Sequence, residues 1–382
     1  MASWVLDPDV TFLNHGSYGA TPIGVLEDQN DWRRRLESNP VRFFDEEYHP
    51  ALEDARRRLV DFVGGRPETT VFVNNATTGV NCVLSSLSLR QGDEIIVTNH
   101  GYNACQNAAR AWAQRAGAEV VEVPIPFPPP DAAMVLDRID LARSPKTRMV
   151  LIDHITSPTA LVMPVGEIVA ALEPDLPVLV DGAHGPGMVP LDLGALDASY
   201  YVGNLHKWVC APKGAAFLSV AERRVDEVMP LVISHGWNMV LPGQTRLQAL
   251  FDWVGTDDPS AWLAVPAAID TMGNAHPDGW EGVMSANHTL ALEGRRILVE
   301  ALDLDPGAEE DWIGSMAAMV LPGLPHDEGL TDELTTRLRH DHAIEVPVFA
   351  WSGRRVLRIS AQRYNRLDDY RRLVDALVAE LD

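Results

Sequence analysis

The stretch PVLVDGAHGPGMVPLDLGALDASYYVGNLHKWVCAPKGAAF, residues 177–217, decides the fold. Its first run, Pro177 to Val180, is apolar and β-prone, and is stopped at once by Asp181-Gly182-Ala183-His184-Gly185. A second run, Ser199 to Val202, is stopped by Gly203-Asn204-Leu205-His206-Lys207-Trp208. Two buried strands that each end in a polar cluster are how an open α/β sheet presents chemistry at its carboxyl edge. One cluster brings a carboxylate and the other a lysine between His206 and Trp208. An ammonium partly withdrawn from water loses affinity for its proton and becomes a usable nucleophile and base. Singly, Asp181 reads equally as a turn cap and Lys207 as a side chain reaching for water.

Together they have the chemistry that pyridoxal 5'-phosphate (PLP) requires. A lysine holds its aldehyde as an imine, and a carboxylate keeps its pyridine nitrogen protonated so that the ring accepts electrons. Toward the N-terminus, Thr70 to Val73 reads as a short strand running into Asn74-Asn75-Ala76-Thr77-Thr78-Gly79 and a helix through Leu87. A strand, a small-residue loop and a helix N-terminus make an anion site, because free amides and the helix dipole point at the same place. Further strands read at Glu94 to Thr98, Glu119 to Val123 and Met149 to Ile152, the last ending at Asp153 in a loop without an assigned role. Helical patterns cover Ile23 to Glu37, Tyr48 to Val63, which Gly64-Gly65 stops, and Ala104 to Ala116.

Toward the C-terminus, Ala215 to Val220 is a strand reached by a connection too short for a crossover helix. It therefore pairs antiparallel and makes the sheet mixed. Ser260 to Met272 reads as one helix leading to a smaller region with strands at Ala343 to Phe349 and Val356 to Ser360. Arg358 sits inside the last of these, where an unpaired guanidinium is costly. Either a structural ion pair or a bidentate carboxylate ligand satisfies it.

DGAHGPG followed by NLHKWVCAPKGAAFL resembles the class V aminotransferase group of fold-type I PLP enzymes, within it the isopenicillin N epimerase-like branch, over nearly the whole chain. The resemblance implies an α/β fold with a large, mostly parallel seven-stranded mixed sheet and a smaller C-terminal α+β domain. The divisions would be an N-terminal active-site segment (1–22), a large PLP-binding domain (23–258), and a connecting helix with the small domain (259–382). It implies candidate catalytic residues Lys207, Asp181 and Tyr102, with Tyr102 stacking on the pyridine ring. His184 would contact the ring's 3'-oxygen, and Ala76, Thr77, Asn204 and His206 would surround the phosphate. Thr256, after Gly255, would reach the phosphate of a partner subunit, which implies a homodimer. Arg358 would hold the α-carboxylate of an amino-acid substrate, with His15 and Gly16 of the segment Asn14-His15-Gly16-Ser17-Tyr18-Gly19 at the active-site mouth. The implied reaction starts with removal of the Cα proton by Lys207. Epimerisation leads, with β-elimination from a cysteine conjugate (a C–S lyase) or transamination as alternatives. Desulfurases of the related group use a thiol in a C-terminal-half loop, and all three cysteines here lie at or before Cys210.

Bulk properties agree. The 382 residues are enough for one large domain and a companion, and Lys+Arg 31 against Asp+Glu 54 gives a net charge of -23. That balance argues against nucleic acid and anionic membrane surfaces as partners. Three cysteines without a CxxC pair fit a reducing cytoplasm better than a disulfide framework or a thiolate zinc site. No signal peptide or membrane span is read, and His340-Asp341-His342 reads as a solvated turn, so no metal is expected.

Overall fold

Alternation along the strands explains the central layer of the computed structural model, which describes residues 3–323 and 332–381. The strands are β1 (Thr11–Phe12), β2 (Thr70–Val73), β3 (Glu94–Thr98), β4 (Glu119–Val123), β5 (Thr147–Asp153), β6 (Val178–Gly182), β7 (Tyr200–Asn204), β8 (Ala216–Val220), β9 (Met316–Leu321), β10 (Ile344–Glu345), β11 (Val348–Trp351) and β12 (Arg354–Ser360). Seven form one sheet in the order β2-β8-β7-β6-β5-β3-β4. Neighbours from β7 to β4 are parallel, and β8 alone runs antiparallel between β2 and β7. This is the mixed sheet expected from the short 207–215 connection.

Successive side chains leave a strand on opposite faces. Val178, Val180, Tyr201 and Phe217 accordingly join one apolar cluster, while Leu179, Tyr200, Val202 and Leu218 join another on the far side. Both faces are covered by helices, so these strands read as continuous apolar runs. The larger cluster continues into a second, antiparallel sheet of order β11-β12-β9, through Met316, Val356, Leu357 and Ile359. The N-terminal segment is tied to the same region, since β1 pairs parallel with β10.

Three local readings change. Ser260 to Met272 is two helices, Ser260–Leu263 and Val265–Gly273, because Pro266 has no N–H to continue the ladder. The strand expected from Ala343 to Phe349 is split into β10 and β11 by Val346-Pro347, and Ala343 itself is left-handed at φ 54. The segment expected at the active-site mouth, read from its small and polar residues as loop, forms one helical turn over His15–Tyr18. Among the described residues no helix is long and apolar enough to cross a membrane.

Candidate active site

The carboxyl ends of β5, β6 and β7 open into a cavity of about 510 Å³, walled also by the N-termini of helices Ala76–Ser86 and Asn103–Ala116. Lys207 follows β7 and is buried, with Nζ 3.0 Å from His184 Nε2. Its pKa is lowered to about 7, first by burial and then by the Arg358 charge, against the pull of Asp181, Cys105 and Asp153. The Trp208 indole N–H donates to His184 Nδ1 at 3.2 Å. Neutral His184 therefore carries its proton on Nε2 and aims it at Lys207. Burial, with the Lys207 charge second, pushes the His184 pKa well down and keeps the ring neutral.

The backbone at Lys207 is fixed from behind. The Lys207 carbonyl lies 2.9 Å from His15 Nε2, a contact that requires the proton on that nitrogen, and the Tyr364 hydroxyl donates to His15 Nδ1 at 2.8 Å. Burial lowers the His15 pKa to about 3. Gly19, at φ 71, packs so closely that a Cβ would meet the His206 carbonyl and lie 2.9 Å from Lys207 Cα. Only glycine meets both demands.

At the end of β6, Asp181 is 2% exposed. Its Oδ1 accepts from the Ala183 amide at 3.0 Å and its Oδ2 from the Cys105 thiol at 3.0 Å. Tyr102 lines the cavity, is 44% exposed, and caps the helix that carries Cys105.

The helix Ala76–Ser86 is capped by Asn75, whose Oδ1 accepts from Thr78 N at 2.8 Å. Ala76 N donates to Asn204 Oδ1 at 2.8 Å, which locks the helix to the end of β7. The Thr77 amide has no acceptor among the described residues and lies on the cavity wall with His206, as an anion-binding helix start requires. His206 contacts the Ala215 carbonyl through Nδ1 at 3.2 Å, and burial lowers its pKa to about 4.

Arg358 is 1% exposed. Its Nη1 donates to the Ser157 carbonyl at 2.6 Å and Ser157 Oγ at 3.2 Å, and its Nη2 to Ser17 Oγ at 3.1 Å and Asn14 Oδ1 at 3.3 Å. Nε is buried without a partner. Among the described residues no carboxylate lies within ion-pair distance, so every partner is neutral and the structural ion pair drops out. Burial lowers the pKa to about 10.

The structure brings Ala76, Thr77, Tyr102, Asp181, His184, Asn204, His206 and Lys207 onto one wall. It does not bring His15 or Gly16 there. His15 supports Lys207 from behind, and the Gly16 amide donates to Ser360 Oγ at 3.1 Å. Their neighbours Ser17 and Tyr18 line the cavity instead. Thr256 is exposed and stands apart from these walls. Residues without a sequence assignment also contribute: Asp153, Ser157 and Lys213 on the wall, and Cys105 behind it. Asp153 was visible as a carboxylate ending a strand, but its neighbours were not.

This donor set fits PLP: a buried amine near neutrality, a buried carboxylate, a free amide at a helix start, and an arginine with an orphaned Nε. Comparison with known proteins agrees. Residues 17–291 match the family described as aminotransferase class-V. An isopenicillin N epimerase of Amycolatopsis lactamdurans is 34% identical, covering 97% of this chain and 95% of its own. An L-cysteine desulfhydrase of Arabidopsis thaliana is 30% identical, covering 96% and 87%. A solved structure of a C-DES mutant with glycine covalently linked to the PLP cofactor shares the fold, with TM-score 0.81 at 22% identity over 97% of this chain and 96% of that one. Matched over most of its length and related at this level along nearly all of it, the chain belongs to the class V aminotransferase family of PLP-dependent enzymes.

Proposed function

We propose that the protein is a C–S lyase that removes the β-sulfur of a cysteine-type amino acid, with Lys207 as its base. The observation that carries this reading is Lys207, buried at the end of β7 with its amine 3.0 Å from His184 and held near neutrality at a pKa of about 7. The second amine on the wall, Lys213, is instead held toward Thr21 at 3.4 Å. Elimination needs a single proton carrier: Nζ takes the proton from Cα and can hand it to the departing sulfur. Inversion at Cα needs acids on both faces. Of the imidazoles on the wall, His184 has both nitrogens engaged with Lys207 and Trp208, and burial holds His206 neutral.

Bound PLP supplies an electron sink conjugated to Cα. In this reading the Asp181 carboxylate holds the proton on the ring nitrogen, and the Tyr102 ring orients the pyridine by offset stacking. The His184 Nε2–H, which here faces Lys207 Nζ, would donate to the 3'-oxygen. The Thr77 amide, His206 and the Ala76–Asn204 pair position the phosphate. Arg358 takes the α-carboxylate on its fork, replacing contacts with Ser17 and Asn14. Thr256 acts in a homodimer, on the phosphate of a second copy. The exposed apolar side chains Leu231, Val232, Ile233, Trp237, Met239 and Val240 support such an interface.

Epimerisation is the second reading, favoured by 34% identity to an epimerase over 95% of that protein's length. The holoprotein should convert L-cysteine and one water to equal amounts of sulfide, pyruvate and ammonia. A cysteine conjugate should give the free thiol in place of sulfide. Loss of optical activity without pyruvate, with one solvent deuteron at Cα, would establish epimerisation instead. A stoichiometric keto acid with the amino group left on the cofactor would establish transamination. Sodium borohydride should fix the cofactor onto Lys207, and its recovery on Lys213 would overturn the assignment of the base. Crystals of the holoprotein that place Thr256 away from both phosphates would remove its role.

A further inference from the structure

Asp153 is the least explained group on the cavity wall. It ends β5, and its Cα is the register partner of Asp181 on β6. Side chains at paired positions of neighbouring strands leave the sheet on the same face, so the two carboxyl groups stand side by side. Asp153 is 4% exposed and Asp181 2%. Two buried carboxylates at this separation cannot both ionise cheaply, because neither has water to screen it and each repels the other.

The surrounding donors are divided unequally. Asp181 accepts from the Ala183 amide and the Cys105 thiol, two donors directed at its two oxygens. Asp153 accepts from the Tyr102 amide, on Oδ2 at 3.2 Å, and the Ser157 amide adds a weaker pull. The cation acting on Asp153 is Lys207, which favours its ionisation only weakly, while the four contacts of Arg358 go to Ser157, Ser17 and Asn14. Burial and the neighbouring Asp181 charge push Asp153 well above the ordinary carboxylate range.

We propose that Asp153 is a positioning residue, a neutral carboxylic acid that lets Asp181 present a single negative charge to the cofactor's ring nitrogen. The proton of the pair resides on Asp153. Cys105 serves the same end, since its thiol donates to Asp181 rather than competing with it for charge. A pyridinium arriving at Asp181 offsets the charge that holds the proton on Asp153. Loading PLP therefore makes that proton easier to lose to solvent.

The inference rests on Asp181 as partner of the ring nitrogen, and its test separates the two. Infrared difference spectra of apoprotein and PLP-loaded protein, taken as pH is raised, follow the C=O stretch of a protonated carboxylic acid. The band should be present at neutral pH and absent in Asp153→Asn. Its midpoint should fall on loading with PLP, and fall again in apo Asp181→Asn relative to the wild-type apoprotein. Asp153→Asn, which copies the neutral acid, should bind PLP within about twofold of wild type at neutral pH. A wild type without the band at neutral pH, or an Asp153→Asn variant weakened by about tenfold or more, would overturn the proposal. Should that variant not fold, the apo and loaded wild-type spectra decide alone. Borohydride labelling in the same samples distinguishes the failures. A labelled Lys207 with an unmoved midpoint removes the role of Asp153 only, whereas no label on Lys207 removes the reading of the site.

Discussion

Two buried arginines three residues apart on β12 have opposite surroundings. Arg355 is 6% exposed and holds Asp332 with both arms of its fork, Nε to Oδ2 at 2.9 Å and Nη2 to Oδ1 at 2.8 Å. Arg358 is more deeply buried and has only neutral acceptors, with Nε unpartnered. Residues an odd number apart in a strand face opposite ways, so one guanidinium turns to Asp332 and the other to Ser17 and Ser157, which line the cavity in front of it. An unpaired buried charge costs several kcal/mol after relaxation. In the function proposed above, an anionic substrate would remove that cost at Arg358. Burial alone does not distinguish the two arginines; the identity of their partners does.

The largest effect that could break the comparison is on stability. Arg355→Met should lower the unfolding free energy by roughly 3–5 kcal/mol, the usual cost of breaking a buried pair, read from urea midpoints. Arg358→Met removes a charge with no counter-ion and should cost clearly less. Equal losses in the two variants would mean that Arg358 is as structural as Arg355.

Ligand affinity comes next. Arg358→Lys keeps the charge but loses the fork, so an amino acid should bind about tenfold to a hundredfold more weakly, at roughly 1.5–3 kcal/mol for charged hydrogen bonds. The decarboxylated amine should bind wild type and variant alike, and PLP affinity should hardly change. Titrations following the cofactor's absorbance measure all three. Equal binding of the amino acid to both proteins would return the substrate class to an open question.

The smallest effect concerns pH. Imine formation needs the neutral amine, and the Lys207 pKa lies near 7. The rate at which apoprotein captures PLP should therefore climb as pH rises through about 7 and level off above it. Arg358 is the second cause of that low value, after burial. Removing its charge in Arg358→Gln favours the ammonium, so the midpoint should move to higher pH. Arg355→Gln should leave it in place. A midpoint unmoved in Arg358→Gln would show that the Arg358 charge does not tune Lys207.

The sequence by itself determined the strands of the large sheet, the antiparallel β8, and the carboxyl edge where Asp181 and Lys207 end up. These are local signals: apolar runs stopped by polar clusters, and a connection too short for a helix. The break at Pro266 and the one at Pro347 were equally local, yet the apolar pattern running past them concealed both. What the tertiary structure alone decided is which polar groups meet. His15 reaches Tyr364 across 349 residues, and Arg358 reaches Asn14 across 344. Asp153 stands beside Asp181 only because β5 pairs with β6 in one register. Periodicity records which face a residue lies on, but the partner waiting on that face is set by sheet register and by packing between distant segments.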